Sequence, residues 1–327
     1  MKSVWCVVKL QFEDGVRMSH SSILVLGSVN VDLVAHGERL PAPGETVIGA
    51  EFFQAAGGKG ANQAVAAARL SCDEVTLIAA VGDDAFGKQS LLGFQQENLL
   101  MDYVKVVRGA ATGVALIMVD QQGENCISVA SGANSNLRPG DVAAISDEVF
   151  QSARVFLTCL ESPWATVAAA LRRARDAKMT TILNPAPASR ELATHPMLRS
   201  VDILTPNQGE AELLAGCRIE GERDLAVAGE TLRGAGVGRV VFTLGSRGAA
   251  IYDGTLTCLP ASAADVVDTT AAGDAFNGAL ASGIADGKEL AEAVRYAIVT
   301  AGLAVSKTGA QPSLPSRTQV ETRFAQP

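Results

Sequence analysis

The sequence has no long apolar run, no basic cluster and no paired cysteines, and each absence removes a class of function. The longest apolar stretch near the start is Val4 to Val8, too short for a signal core or a membrane span. A net charge of −8 with no run of Lys or Arg argues against nucleic acid as a partner, and an acidic surface repels anionic membranes. The six cysteines (Cys6, Cys72, Cys126, Cys159, Cys217, Cys258) form no CxxC pair, so they read as reduced core thiols of a cytoplasmic protein. Three histidines, none near a cysteine at ligand spacing, leave no zinc site. Aromatics are only 5% of the chain while Gly numbers 32, a balance that suits tight strand–helix turns more than an all-β sandwich.

Several catalytic signatures are missing too. GGKGAN (57–62) places a lysine after two glycines, but no Ser or Thr follows it, so it is not a Walker A loop. The first strong strand ends in GSVN, without the GxGxxG that binds dinucleotides. There is no GxSxG elbow and no HExxH.

What is present alternates. Buried-strand runs occur at 23–27, 75–80, 155–160, 180–184, 201–206 and 239–245. Ala-rich stretches with helical spacing lie among them at 62–70, 164–177 and 223–236. This predicts a doubly wound α/β fold, a mainly parallel sheet flanked by helices. Two segments break the pattern: about 31–57, with PAPGET and a Phe pair, and about 112–131, two strand-like runs around QQGE. They read either as a small β-sheet lid, one face over a ligand and the other toward a second subunit, or as ordinary edge strands. Residues 1–20 read as an extension to a single domain over 21–327, and 1–17 as dispensable, because Met18 stands just before the first strong strand.

Polar residues collect where strands end. Asn30 and Asp32 follow the first strand, and Glu161 another; the carboxyl ends of such strands open onto the ligand crevice. With Lys59, Asn62 and the backbone N–H groups freed by Gly58, they suit a ligand rich in hydroxyls, since each hydroxyl both donates and accepts. Asn62 is equally readable as a helix cap. Asn207 and Glu210 share a helix face and could hold Mg²⁺ through water, or simply cap that helix. TLGSRG (243–248) leaves room for a nucleotide or forms a plain turn. In TTAAGDAFNG (269–278), Asp274 either favours the helix dipole or serves as a base beside the unpartnered N–H groups of a helix start. Phosphoryl transfer needs both of the latter.

Together GSVNVD, PGETV, GGKGANQAVAAA, VGDDAFG, TGVALI, GEN, LNPAPA, TPNQGEAE, TLGSRG, DTTAAGDAFNGAL and KTGAQPS resemble, in family order, the ribokinase-like or PfkB family of carbohydrate kinases. The likeness runs from about Ile23 to Pro315. It implies the doubly wound fold with a β lid and a homodimer joined through the lids. It also implies ATP-dependent phosphorylation of D-ribose at O5, with 2-deoxyribose, another pentose or a nucleoside as the rival acceptor. A non-catalytic sugar sensor is a remoter alternative, disfavoured because it needs neither Asp274 nor the small-residue loop.

By the same resemblance Asp274 is the general base and also touches the sugar, and Ala271, Ala272 and Gly273 form the anion hole. Asn30, Asp32, Gly58, Lys59, Asn62 and Glu161 bind sugar. Asn207, Thr243, Gly245, Ser246, Gly248 and Gly273 hold ATP, and Glu210 organises Mg²⁺ through water. Asp268, Thr270, Ala304, Lys307, Gly309 and Ser313 hold an activating K⁺, mostly through carbonyls. One position departs from the pattern: Ile298 stands where the family often has His or Asn near the adenine, which opens the question of nucleotide preference.

Overall fold

A computed structural model describes residues 21–325; the expectation about residues 1–17 lies outside them. Among the described residues thirteen strands form two sheets. Their ranges are β1 (Ser21–Leu26), β2 (Asn30–His36), β3 (Glu51–Gly57), β4 (Glu74–Gly82), β5 (Leu99–Val107), β6 (Gly113–Val119), β7 (Asn125–Ala130), β8 (Val155–Cys159), β9 (Thr180–Asn184), β10 (Ile203–Leu204), β11 (Arg239–Thr243), β12 (Ala249–Tyr252) and β13 (Leu256–Leu259). The large sheet runs β13-β12-β11-β10-β9-β8-β1-β4-β5. It is parallel from β5 to β11, and β12 and β13 add an antiparallel hairpin.

Both faces of this sheet are covered, as its unbroken apolar strands require. In β1, Ile23 and Val25 pack with the helices Lys59–Leu70, Ala272–Ala285 and Leu290–Ala304. Leu24 and Leu26 point the other way, into the core under the helices Trp164–Asp176, Gln208–Ala215 and Glu222–Gly234. Strand β10 is shorter than the run at 201–206 predicts. Pro206 has no N–H to give a ladder, and the Asp202 carboxylate accepts from Thr181 N at 2.8 Å at the other end.

From β1 the chain goes to β4 and β5 on one side, and from β8 onward it builds the other side. The β1/β8 border is therefore the point where strand order reverses, and ligand crevices open at such points. Ser28 and Asn30 follow β1, and Glu161 follows β8.

The two irregular segments form the second sheet, ordered β3-β2-β6-β7. β2 pairs antiparallel with β3 and parallel with β6, and β6 and β7 make a hairpin. Its turn is held by Asp120, whose Oδ1 accepts from Gln122 N and Glu124 N, both at 2.9 Å. Register puts Asp32, Val34, Phe53, Ala115, Ile117, Ile127 and Val129 on one face. The other face meets the helix Ala85–Gln96, where Gln54 Nε2 donates to Gln89 Oε1 at 2.8 Å.

Candidate active site

The helix Lys59–Leu70 begins without a side-chain cap. Gly58 precedes it at φ 89, in the left-handed region that a side chain would strain. Gly60 lies directly against the Gly27 backbone, an approach that leaves no room for a Cβ. These two glycines bring the helix start onto the end of β1, where Ala61 N donates to Ser28 O at 2.9 Å. Lys59, Asn62 and Gln63 thereby face the crevice and the core beneath it.

The Ala272 helix packs tightly against this one. Gly278 makes that possible: a Cβ there would sit 2.5 Å from Ala66 Cβ and 2.7 Å from Gln63 O. The close approach brings both amides of the first helix onto Asp274. Its Oδ2 accepts from Asn62 Nδ2 and its Oδ1 from Gln63 Nε2, each at 3.0 Å. Asp274 is 6% exposed, and burial raises its pKa against the opposing pull of Lys59, Gln63 and Asn62. Burial alone would lower the pKa of Lys59, but the carboxylates of Asp274 and Glu161 raise it above the usual range, so the ammonium persists.

Asp32, Glu161, Asp274 and Lys59 share one electrostatic neighbourhood. Burial pushes the Asp32 pKa to about 6, with Glu161 and Asp274 adding to the rise and Lys59 opposing it. Gly57 lies flat against the Asp32 carboxylate. Glu161 Oε2 accepts from Ser28 Oγ at 2.5 Å and from Lys59 N at 3.0 Å. Asn30 Oδ1 accepts from Asn134 Nδ2 at 2.8 Å, and Asn134 also bonds both backbone groups of Val29. Cys159, buried beneath, has its thiol pushed up to about 12 by burial, so it stays protonated and is no nucleophile. The buried Asn62 Oδ1 has no protein partner, an acceptor left over for a ligand.

Ala271 caps the Ala272 helix at φ 59, a strained conformation for a residue with a side chain. The loop expected to form an anion hole (Ala271, Ala272 and Gly273) does not present its N–H groups alike. Ala272 N already donates to Thr269 O at 3.2 Å, so the N–H groups without a protein acceptor belong to Ala271, Gly273 and Asp274. Just before it, Asp268 Oδ1 accepts from Thr270 N and Oδ2 from Gly309 N, both at 2.8 Å. These bonds outweigh partial burial and hold its carboxyl below the ordinary range. Val267 N and Asp268 N both donate to Val305 O, tying this loop to the end of the helix that carries Ala304. Thus the segments bearing Asp268, Thr270, Ala304, Lys307 and Gly309 meet, and Ser313 lies buried in the same turn region.

Asn207 and Glu210 form a reciprocal capping box: Glu210 N donates to Asn207 Oδ1 at 2.8 Å and Asn207 N to Glu210 Oε2 at 2.9 Å. Glu210 Oε1 is outside this pair, and burial raises the pKa of the carboxyl. Thr243 lies beside Asn207 across a bridge between strand ends, and Gly245 and Gly248 turn the chain at φ 58 and 91. Ser246 sits in that turn, which Arg247 joins to Gln208. Ile298 is buried in the Leu290 helix. Among the described residues no group of three or more His, Cys, Asp or Glu could hold a metal on its own.

Ser28, Gln63, Asn134, Asn184 and Asn277 are site residues that no sequence motif marks by itself. All but Asn134 stand inside quoted motifs, where a polar residue amid small or apolar neighbours is the signal available.

A model of pfkB family carbohydrate kinases matches residues 20–317. The ribokinase of Haemophilus influenzae is 37% identical over 297 residues, covering 90% of this chain and 96% of that protein. A deoxyribokinase of Salmonella typhi is 33% identical over 295 residues, covering 90% and 95%. Among solved structures, the Arabidopsis thaliana ribokinase complexed with ribose and ATP superposes with a TM-score of 0.84 at 33% identity, covering 94% of this chain and 99% of that one.

Proposed function

We propose that this chain, which belongs to the pfkB family of carbohydrate kinases, moves the γ-phosphoryl group of ATP to O5 of D-ribose with Asp274 as general base. The observation that carries this reading is the buried Asp274 carboxylate, held by Asn62 and Gln63 next to Lys59 at the exposed start of a helix. A base with a raised pKa is better matched to neutral pH than an ordinary carboxylate. Asp274 takes the proton from the sugar hydroxyl as that oxygen attacks phosphorus. The N–H groups of Ala271 and Gly273 and the Lys59 ammonium receive the charge that builds on the transferring group.

Asn30, Asp32, Asn62 and Glu161 hold the sugar from the switch-point loops. Asn134 fixes the amide of Asn30, and Ser28 the carboxylate of Glu161. The nucleotide lies along Thr243–Gly248 and over Asn207. Mg²⁺ brought with ATP would supply charge neutralisation for the phosphates. Glu210 Oε1 fits a role in ordering its waters, since the site has too few carboxylates to hold the ion by itself. The oxygen donors about Asp268 fit K⁺, and ordering that loop would order Ala271 and Gly273 with it. Among the described residues no helix is long and apolar enough to cross a membrane, and ATP as donor suits a cytoplasmic enzyme.

The second sheet is the lid of this account. Phe53, Ile127 and Val129 extend the Asp32 face outward and are 46%, 54% and 50% exposed. A contiguous exposed apolar face of this kind marks an association surface, and a second lid seated on it gives a homodimer.

A coupled ADP-release assay over ribose, 2-deoxyribose, fructose and adenosine, each in K⁺ and in Na⁺, tests the reading. Ribose should give the highest kcat/KM, with faster turnover in K⁺. The deoxyribokinase relative makes 2-deoxyribose the comparator; a higher kcat/KM for it would reassign the acceptor, and equal rates in the two salts would remove the cation.

A further inference from the structure

Behind Asp274 lies a buried chain of side-chain amides that includes one hydroxyl. Gln63 is 0% exposed, and its Nε2 donates both to Asp274 Oδ1 at 3.0 Å and to Asn184 Oδ1 at 3.2 Å. Asn184 Nδ2 donates to Thr205 O at 3.2 Å. Thr205 Oγ1 donates to Asn277 Oδ1 at 2.6 Å, and Asn277 Nδ2 to Gly273 O at 2.8 Å. The chain leaves the carboxylate of Asp274 and returns at Gly273, the residue before it. One buried network therefore fixes the orientation of the acid and the backbone of the anion-hole loop together.

We propose that Gln63 is the positioning residue of the base: it orients the Asp274 carboxylate and keeps it ionised, and through Asn184, Thr205 and Asn277 it couples the base to the anion hole. This rests on Asp274 being the base. The physical need is plain. A carboxylate this deeply buried is driven toward its neutral form, and a neutral acid cannot take a proton. The charged groups that face it are Lys59 from its own helix start, Glu161 from the loop after β8, and Asp32 from β2, with the protonated Cys159 below. Lys59 is the single cation among them, set against two further acids. The amide donors supply the rest of the stabilisation, and only Gln63 does so from a position closed to solvent and substrate. Asn62 faces the crevice and has a second task there.

Gln63→Met keeps the volume and removes the donor. In this variant kcat should fall roughly tenfold near pH 7 and the acidic limb of the kcat–pH profile should move up by about one unit, the size of one lost hydrogen bond to a charged group. Ribose affinity by calorimetry should change less than threefold. Asn184→Ala, one link further back, should move the limb in the same direction by less. If Gln63→Met folds, as judged by its thermal midpoint, and its pH limb coincides with wild type, the proposal is overturned even if kcat falls. Should Gln63→Met not fold, the limb of Asn184→Ala decides by the same criterion. Asp274→Asn is run alongside: near wild-type turnover there removes the base and this proposal with it, whereas an inactive Asp274→Asn beside an unmoved Gln63→Met limb overturns the role of Gln63 alone.

Discussion

Asp268 and Asp274 are the same side chain six residues apart, and their surroundings treat them oppositely. Asp268 lies in a loop, half-buried, with both oxygens accepting backbone N–H groups, and its pKa is lowered. Asp274 lies in the first turn of a helix, buried, with both oxygens accepting from side-chain amides, and its pKa is raised. Peptide donors belong to the loops they hold, so the first arrangement ties two loops together around a permanent negative charge. In the second, burial raises the carboxyl while Lys59 and the side-chain donors of a neighbouring helix oppose the rise. One suits a cation; the other suits a proton.

This contrast can be broken in several places. Asp274→Glu keeps the charge but pushes it one methylene into a clamped site. Displacement by about 1 Å costs about 10²-fold when a reacting group is misplaced, so kcat should drop by that order with ribose still binding. The equivalent change at the loop is milder. Asp268→Asn should lower kcat in K⁺ buffer by roughly tenfold, a typical coupling between a bound effector and a second site, and should abolish the difference between K⁺ and Na⁺. A preserved salt response would show that the two acids are not divided in this way.

Gly278→Ala tests the helix contact that places the amides on Asp274. With Ala66 Cβ only 2.5 Å from the added methyl, overpacking should cost about 1–3 kcal/mol in denaturant titration and reduce kcat as well. The smallest effect concerns the sugar side. Asp32 titrates at about 6 in the free protein because burial raises it, so protonation sets in as the pH falls through that value. The protonated acid loses acceptor capacity for sugar hydroxyls. The ribose kcat/KM should accordingly fall below about pH 6, and Asp32→Asn should make that fall shallower, leaving the part due to Asp274.

The alternation of strand and helix was legible because buried parallel strands read as unbroken apolar runs, and β9 spans the residues read from sequence. β5 went unread: LLMDYVKVV mixes charge into an edge strand, where one side is wet. The ends of β1 and β8 drew attention to Asn30 and Glu161, but not to Ser28 and Asn134, which orient them. Gln63 stands 211 residues from Asp274 in sequence, and no local pattern states that two helices will meet through a glycine. Asn207 and Glu210 show the reverse: both readings of the pair rest on one spacing, and the structure displays the capping box while leaving Glu210 Oε1 for other use.

What distinguishes Asp274 as a base from an acid that merely favours a helix start is its effect on turnover. Turnover of Asp274→Asn with ribose in K⁺ buffer, measured beside its calorimetric ribose affinity, tests it most directly. For a base, kcat should fall by about 10²–10⁴-fold with ribose bound within a few-fold of wild type. Turnover near that of wild type would contradict it.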